Sequence, residues 1–360
     1  MQFFKKISYL LISIFFIACN SKEDNPKYES PVNYNLAEMP YSHLSDYNFF
    51  EGDIANLKPV YGVLPYDLIN SLFVNYAHKK RFIWMPDNVK ASYVSDFEPL
   101  DFPTGTILIK NFYYENTLPN NTTKIVETRL MIKKANFWEF ATYQWNTEQT
   151  DASYTMAGVD VPIDWIDENN QTRHVDFRIP PGADCLTCHQ KDDQPLPIGP
   201  KPQNINHNYA YSNETKNQLE KWKNFGYLED SYPENIQTVT KWDDETQNLR
   251  DRVRGYVDGN CAHCHVDDGY CNYRSMRFSF FENDSDENLG ICIEHQEPIG
   301  IAPWLTHIVS PGRPERSVLY YRINTTDETV RMPLKGRTLI HQEAVDLIEQ
   351  WINSLSQTCD

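Results

Sequence analysis

The residues best suited to chemistry in this chain belong to two copies of the sequence Cys-x-x-Cys-His, which use half of its eight cysteines. The copies consist of Cys185, Cys188 and His189, and of Cys261, Cys264 and His265. Two thiols at this spacing can form thioether bonds to the vinyl groups of one haem, while the adjacent imidazole reaches the iron. The pattern predicts two covalently bound haems of c type, with His189 and His265 as iron ligands.

Zinc sites and thioredoxin-like redox centres also contain Cys-x-x-Cys pairs. A zinc site built from the four motif cysteines is therefore an alternative, as are disulfides. Both alternatives leave the histidine after each pair without a role, and the two pairs lie far apart in different local sequence. The repeated histidine favours haem.

The N-terminus has the order of segments found in a bacterial lipoprotein signal. Two lysines precede an apolar run over residues 10–17, and Ala18 stands directly before Cys19. The run is short for a membrane span. We expect residues 1–18 to be a cleaved signal peptide and Cys19 to carry the lipids of a membrane anchor. An ordinary signal peptide or an uncleaved anchor is the alternative.

The composition of the chain limits where the protein can be located and which partners it can bind. Residues 19–43 are polar and contain three prolines, which predicts a flexible tether. The lipid signal and the haem motifs together predict a protein anchored in the bacterial cell envelope, facing the periplasm or the surface. The formal net charge of −17 argues against a nucleic-acid partner, because phosphate binding needs a basic surface. The expected partner is a redox protein of the envelope.

The elements before the first motif read as β-strands. Four segments are rich in β-branched and aromatic residues: 106–114, 123–133, 137–145 and 174–179. The sequence Arg-Ile-Pro-Pro-Gly over residues 178–182 excludes a regular helix directly before Cys185. We therefore expect a β-rich domain over residues 44–240 that carries the first haem.

The sixth ligand of the first haem is left open by the sequence. No methionine or histidine upstream of the first motif, or shortly after it, has a diagnostic placement. The candidates are His174, His207, Met85 and Met156. The alternative is an iron with an open or water-bound distal face.

Two apolar stripes at helical spacing frame the second motif. One runs over residues 246–257 and leads into Cys261, and the other runs over residues 344–355 at the end of the chain. Met332, followed by a proline, lies between them, and its soft thioether would stabilise ferrous iron. Met332 is thus the expected sixth ligand of the second haem. The alternatives are Met276, His295, His307 and His341.

Two local resemblances refine the expected fold. Residues 241–360 resemble a small cytochrome c domain, in which two terminal helices cross beside the haem. The order of strands before the first motif resembles the cytochrome P460 fold, in which the haem packs on an antiparallel sheet and some members carry a lysine cross-linked to the macrocycle. Lys110 is the position that would match this lysine, although the favoured interpretation of Lys110 is a solvent-facing strand residue. The expected class is α+β, a β-rich haem domain followed by an all-α cytochrome c-like domain.

Taken whole, the chain resembles a family of bacterial dihaem c-type cytochromes that has no assigned substrate. The segments that carry the resemblance are residues 61–68, 102–114, 145–152, 197–201, 260–265, 290–292 and 332–337. The resemblance implies a dihaem cytochrome, with a parallel β-helix repeat protein as a partner encoded beside it.

Two functions and one disulfide are left open at this stage. The first function is electron transfer between envelope proteins. The alternative is a dihaem redox enzyme, peroxidase-like or P460-like, whose first haem is open, so whether the chain is an enzyme is undecided.

Among the remaining cysteines, a bridge between Cys271 and Cys292 is weakly preferred, and a bridge from Cys359 to either is nearly as favoured.

Overall fold

The computed structural model describes residues 28–297, 299–300 and 302–359 of the chain. The signal peptide expected over residues 1–18 and the lipidation site expected at Cys19 lie outside the described residues. Within the described residues, no helix has both the length and the apolar character needed to cross a bilayer.

An eight-stranded antiparallel sheet forms the larger part of the fold. Its strands are β1 (Leu64–Tyr66), β2 (His78–Trp84), β3 (Ile107–Thr117), β4 (Thr122–Lys133), β5 (Trp138–Trp145), β6 (Ala152–Tyr154), β7 (Val159–Ile166) and β8 (Thr172–Ile179). Strands β1 to β6 pair in sequence order, whereas β7 pairs with the end of β3 and with β8. The four strand segments expected from the sequence lie in β3, β4, β5 and β8.

Alternation along the strands gives the sheet two buried faces. On one face Ile107 and Ile109 pack in a core with residues from the N-terminal segment 32–63. On the other face Leu108 packs in a second core that includes Trp222. The side chains of β3 that point to this second face position the first site described below.

The described part of the expected tether, residues 28–43, packs on the sheet. Val32 and Met39 are buried in the first core. The ammonium of Lys134 donates to the carbonyls of Leu36 and Met39 at 2.6 and 2.9 Å. These contacts hold residues 28–43 against the sheet, so this part of the chain is not the flexible tether that was expected.

The remaining elements are short. The helices are α1 (Cys185–Cys188), α2 (Pro202–Ile205), α3 (Gln218–Phe225), α4 (Leu249–Asn260), α5 (Val318–Ile323) and α6 (Gln342–Ser354). Two small hairpins pair β9 (Gln190–Lys191) with β10 (Gln194–Pro195) and β11 (Asn208–Ala210) with β12 (Thr215–Asn217).

The expected all-α C-terminal domain, and the α+β class with it, is wrong. The helices α4, α5 and α6 are present, but residues 261–317 between α4 and α5 form turns, bends, one 3-10 turn and isolated bridges such as Ile291 with Val309. This segment is dense in Asp, Asn, Ser and Gly, which favour turns over helix. The described fold is mostly β-sheet with few helices.

A separate core holds the C-terminal part together. Val253 and Val257 of α4 pack with Ile348 and Trp351 of α6 and with apolar side chains of the irregular segment. All fully buried members of this core come from residues 253–352, whereas those of the other three cores come from residues 32–236. The domain boundary near residue 240 stays a prediction.

Candidate functional site

The first motif begins where β8 ends. Pro180 and Pro181 end the strand, the 3-10 turn Gly182–Asp184 redirects the chain, and α1 follows directly. Residues three apart on a helical turn are neighbours, so Cys185 and Cys188 lie on one side of α1. The backbone N–H of His189 donates to the carbonyl of Cys185 at 3.0 Å, which closes this turn.

The imidazole of His189 has the state that a metal ligand needs. Its Nδ1–H donates to the carbonyl of Leu196 at 3.1 Å, which leaves the lone pair of Nε2 free. Burial lowers the pKa of His189 to about 4, so the ring is neutral near pH 7. A neutral imidazole oriented by a carbonyl through one nitrogen binds iron or zinc through the other.

A cavity of about 800 Å³ lies between the first motif and the second face of the sheet. The ring of Phe140 on β5 meets that of His189 edge-on, with 5.4 Å between centroids. The volume falls in the range of about 300–1,000 Å³ that is usual for cofactor and ligand sites. Its walls include Cys185, Cys188, His189, Arg81, Leu108, Lys110, Arg129, Met131, Phe140 and Thr142.

Lys110 faces this cavity and not bulk solvent. It is partly buried and lines the cavity together with residues of the neighbouring strands β2 and β4. The favoured interpretation of Lys110 as a solvent-facing strand residue is therefore wrong.

None of the four candidate sixth ligands of the first haem lines the cavity. His174 lies on β8 with its Nδ1 2.8 Å from a carboxylate oxygen of Asp164. His207 contacts the carbonyl of Asp67. Met85 is buried in the second core, and Met156 packs beside Gly182.

The second motif follows the C-terminus of α4. The side chain of Asn248 caps the helix by accepting from the N–H of Arg250 at 2.9 Å. Burial raises the pKa of Cys261 to about 12 and lowers that of His265 to about 4. The Nδ1 of His265 is buried without a hydrogen-bond partner in the described chain. Such an unpaired buried atom is uncommon and marks a place where a further group is needed.

A second cavity, of about 280 Å³, opens beside this motif. It is lined by Cys261, Cys264, His265, Met276, His295 and Met332. The expected ligand Met332 and two of its alternatives thus reach the same cavity. The two others do not: His307 lies outside it, and His341 stacks on Phe73 with 4.1 Å between ring centroids.

Arginine side chains hold the loop that carries Met332. The N–H of Met332 donates to the carbonyl of Arg322 at 2.9 Å. The guanidinium of Arg337 donates from Nη2 to the carbonyl of Met332 at 2.7 Å and to that of Arg322 at 2.9 Å. These bonds fix the backbone on either side of the thioether, so Met332 is presented to the cavity by a tied loop.

The two motifs meet, although Cys188 and Cys264 lie 76 positions apart in the sequence. Their sulfur atoms and a ring nitrogen of His263 all lie within 4.8 Å of one another. The two cavities share walls formed by Cys188, His263, Leu334 and Lys335. The ammonium of Lys335 pairs with Asp184 at 3.0 Å and so joins the Met332 loop to the first motif. The sequence did not predict this convergence, because the residues of one motif carry no information about which distant residues lie beside them in the fold.

The convergence also offers a metal alternative. Cys188, Cys264 and His263 could act as three ligands of zinc. Cys271 lies next to them, because its N–H donates to the carbonyl of Cys264 at 2.9 Å and its thiol contacts that of Cys264. The hydrogen bond between the thiols of Cys188 and Cys264 lowers the pKa of Cys188 well below its usual value. The four-cysteine zinc site considered from the sequence is not formed, since Cys185 and Cys261 lie outside this group.

The disulfide joins Cys292 to Cys359, with 5.1 Å between the Cα atoms. The weakly preferred bridge between Cys271 and Cys292 is therefore wrong, and one of the alternatives with Cys359 is observed. Cys271 is free and buried. The bridge ties the tail after α6 to the irregular segment.

No protein-family model, curated protein or solved structure matches this chain.

Proposed function

We propose that the chain is a dihaem c-type electron carrier of the bacterial cell envelope. The observation that carries the proposal is the convergence of both Cys-x-x-Cys-His motifs on two adjoining cavities. A chance repeat of the motif would not be expected to line each of two adjoining cavities with two cysteines and a histidine. The assignment of the chain to the dihaem cytochrome family belongs to the same proposal.

The residues that would hold the two groups follow from the cavity walls. Cys185 and Cys188 would form the thioethers at the larger cavity, with His189 as iron ligand. Cys261 and Cys264 would do so at the smaller cavity, with His265 and Met332 as iron ligands. When bound, each haem supplies one iron that cycles between the ferric and ferrous states.

The chain's own residues prepare these sites in two ways. Burial keeps both motif histidines neutral, so neither must lose a proton to bind iron. The tied loop of Met332 holds a soft sulfur at the smaller cavity, which favours the ferrous state there. A carrier needs this preorganisation because little rearrangement should accompany each electron.

The shared wall gives the proposal a test. Cys188 and Cys264 would each be bonded to a different haem, and their sulfurs lie within 4.8 Å. Haems attached to these two cysteines would be neighbours, and the unpaired electrons of their ferric irons would interact magnetically. We expect the EPR spectrum of the oxidised protein to differ from the sum of two single-haem variants, Cys185→Ala/Cys188→Ala and Cys261→Ala/Cys264→Ala. A spectrum equal to that sum would contradict the proposed side-by-side arrangement.

A redox enzyme is the second candidate, and the larger cavity favours it. That cavity has about 800 Å³ against about 280 Å³ for the other, and none of the four candidate sixth ligands lines it. An open ferrous iron binds carbon monoxide without first losing a protein ligand. One carbon monoxide per two haems in the reduced protein would support the enzyme, whereas no binding would favour the carrier.

The place of the protein in the envelope is part of the proposal. The lipid signal before Cys19 supports an anchor, and a redox protein or a parallel β-helix repeat protein would be the partner. Cys19→Ser should shift the protein from the membrane fraction to the soluble fraction. Retention in membranes after signal cleavage would place the anchor elsewhere.

A further inference from the structure

Three cations form a row across the sheet inside the larger cavity. Arg81 on β2 stands directly opposite Lys110 on β3, which in turn stands opposite Arg129 on β4. Directly opposite residues of antiparallel strands have Cβ atoms about 4.5–5.5 Å apart, and like charges at that distance repel. The row thus concentrates positive charge in a chain whose formal net charge is −17.

The two outer cations are neutralised by carboxylates, whereas the middle one is not. Arg81 donates to Asp67 at 2.6 Å, and Arg129 donates to the fully buried Glu127 at 2.6 and 2.8 Å. The ammonium of Lys110 has no ion pair or hydrogen bond within the described residues. Its Nζ lies 4.7 Å from the centroid of the Phe112 ring.

An uncompensated ammonium between two arginines is costly. Burial first, and then Arg81 and Arg129, lower the pKa of Lys110 well below its usual value. Either the amine stays neutral or an anion enters and restores the charge.

The cavity wall around Lys110 offers further donors to an anion. Arg129 uses Nε and Nη2 for Glu127, so its Nη1 is not engaged in that pair. Thr142 on β5 stands opposite Arg129 and lines the same cavity. A guanidinium N–H and a hydroxyl group beside an ammonium can each donate to an oxygen atom of a carboxylate or an oxyanion.

We propose that Lys110, Arg129 and Thr142 form an anion-binding site for a carboxylate or small oxyanion beside His189 in the larger cavity. The anion has two sources: a free small anion, or the propionate of the haem proposed for this cavity. The second source rests on the proposed function, whereas the first does not.

The test compares three forms of the full protein: wild type, Lys110→Met and the control Lys80→Met. Lys80 is the neighbour of Arg81 on β2, points to the opposite face of the sheet and does not line the cavity. Methionine is apolar and close to lysine in length, so Lys110→Met should fold. Thermal unfolding is measured while sodium nitrate replaces sodium chloride at constant ionic strength, and the midpoint potentials are measured by redox titration.

For a free anion, nitrate should raise the melting temperature of wild type and Lys80→Met, with an apparent Kd at least tenfold weaker in Lys110→Met. For the propionate, nitrate should have no effect on any form, and Lys110→Met alone should lower the potential of one haem. The site is overturned if Lys110→Met matches wild type in both measurements. The thermal result does not need haem. If the purified protein carries no covalent haem, the proposed function fails, whereas a nitrate effect that is lost in Lys110→Met would still establish the site.

Discussion

At the scale of single residues, burial decides the chemistry of both motif histidines. Each has a pKa lowered to about 4, and each presents a neutral ring to a cavity. The two rings differ in how they are oriented by hydrogen bonds. The Nδ1 of His189 donates to the carbonyl of Leu196, whereas the Nδ1 of His265 has no hydrogen-bond partner among the described residues. The Nδ1 of a metal-bound histidine normally donates to a second group, so the ring of His265 should be less firmly held until iron fixes it.

Met332 is the residue whose role can be tested most selectively. Met332→Ala removes a soft ligand, so it should lower the midpoint potential of one haem and abolish the weak near-infrared band of a Met-ligated ferric iron. Redox titration and near-infrared absorption measure the two effects. Met276→Leu is the matched control, because Met276 lines the same cavity and leucine has a side-chain volume close to that of methionine. If Met276→Leu loses the band and Met332→Ala keeps it, the assignment is wrong.

At the scale of elements, α4 controls the position of the second motif. The amide of Asn70 donates to the carbonyls of Thr240 and Gly255 at 2.8 and 3.1 Å, so the helix is fastened to the segments beside it. A Cβ atom at Gly255 would overlap the carbonyl oxygen of Thr240. The close approach of backbone to backbone needs glycine at this position.

Gly255→Ala should therefore destabilise the protein, although alanine in a helix interior is normally favoured by about 0.5–1 kcal/mol. We expect the free energy of unfolding to fall by about 1–3 kcal/mol because the overlap forces backbone shifts. Urea denaturation followed by circular dichroism measures it. Gly259→Ala is the control, with its nearest contact 3.2 Å away at Asn70, and should lose less. An unchanged or raised stability of Gly255→Ala would mean that α4 is not held in this way.

The elements also show what local sequence could and could not predict. Strands β3, β4 and β5 and helices α4 and α6 were predicted, because their apolar periodicity is a local property. The irregular course of segment 261–317 was not predicted, because apolar side chains such as Ile291 and Val309 pack there without a regular spacing in the sequence. The segment 28–43 was misjudged because only tertiary contacts, such as those of Lys134, show that it is held.

At the scale of the whole molecule, the proposed function rests on a contact between distant parts of the chain. The cysteines and histidines of both motifs were predicted as site residues because their spacing is a covalent requirement. The convergence of the two motifs at Cys188, Cys264 and His263 was not predicted, because it depends on how the C-terminal core packs beside the sheet. The cavity that Lys110 lines could not be predicted either, because its walls combine residues of seven strands with residues beside both motifs.

The number of covalently bound haems per chain tests the central claim most directly. Purified protein from cells that mature c-type cytochromes is denatured, and its pyridine haemochrome absorbance and metal content are measured against protein concentration. The account predicts two haems that stay attached after denaturation, and one in each of the variants Cys185→Ala/Cys188→Ala and Cys261→Ala/Cys264→Ala. A chain without covalent haem that instead holds zinc, lost on replacing Cys188 or Cys264, would contradict it.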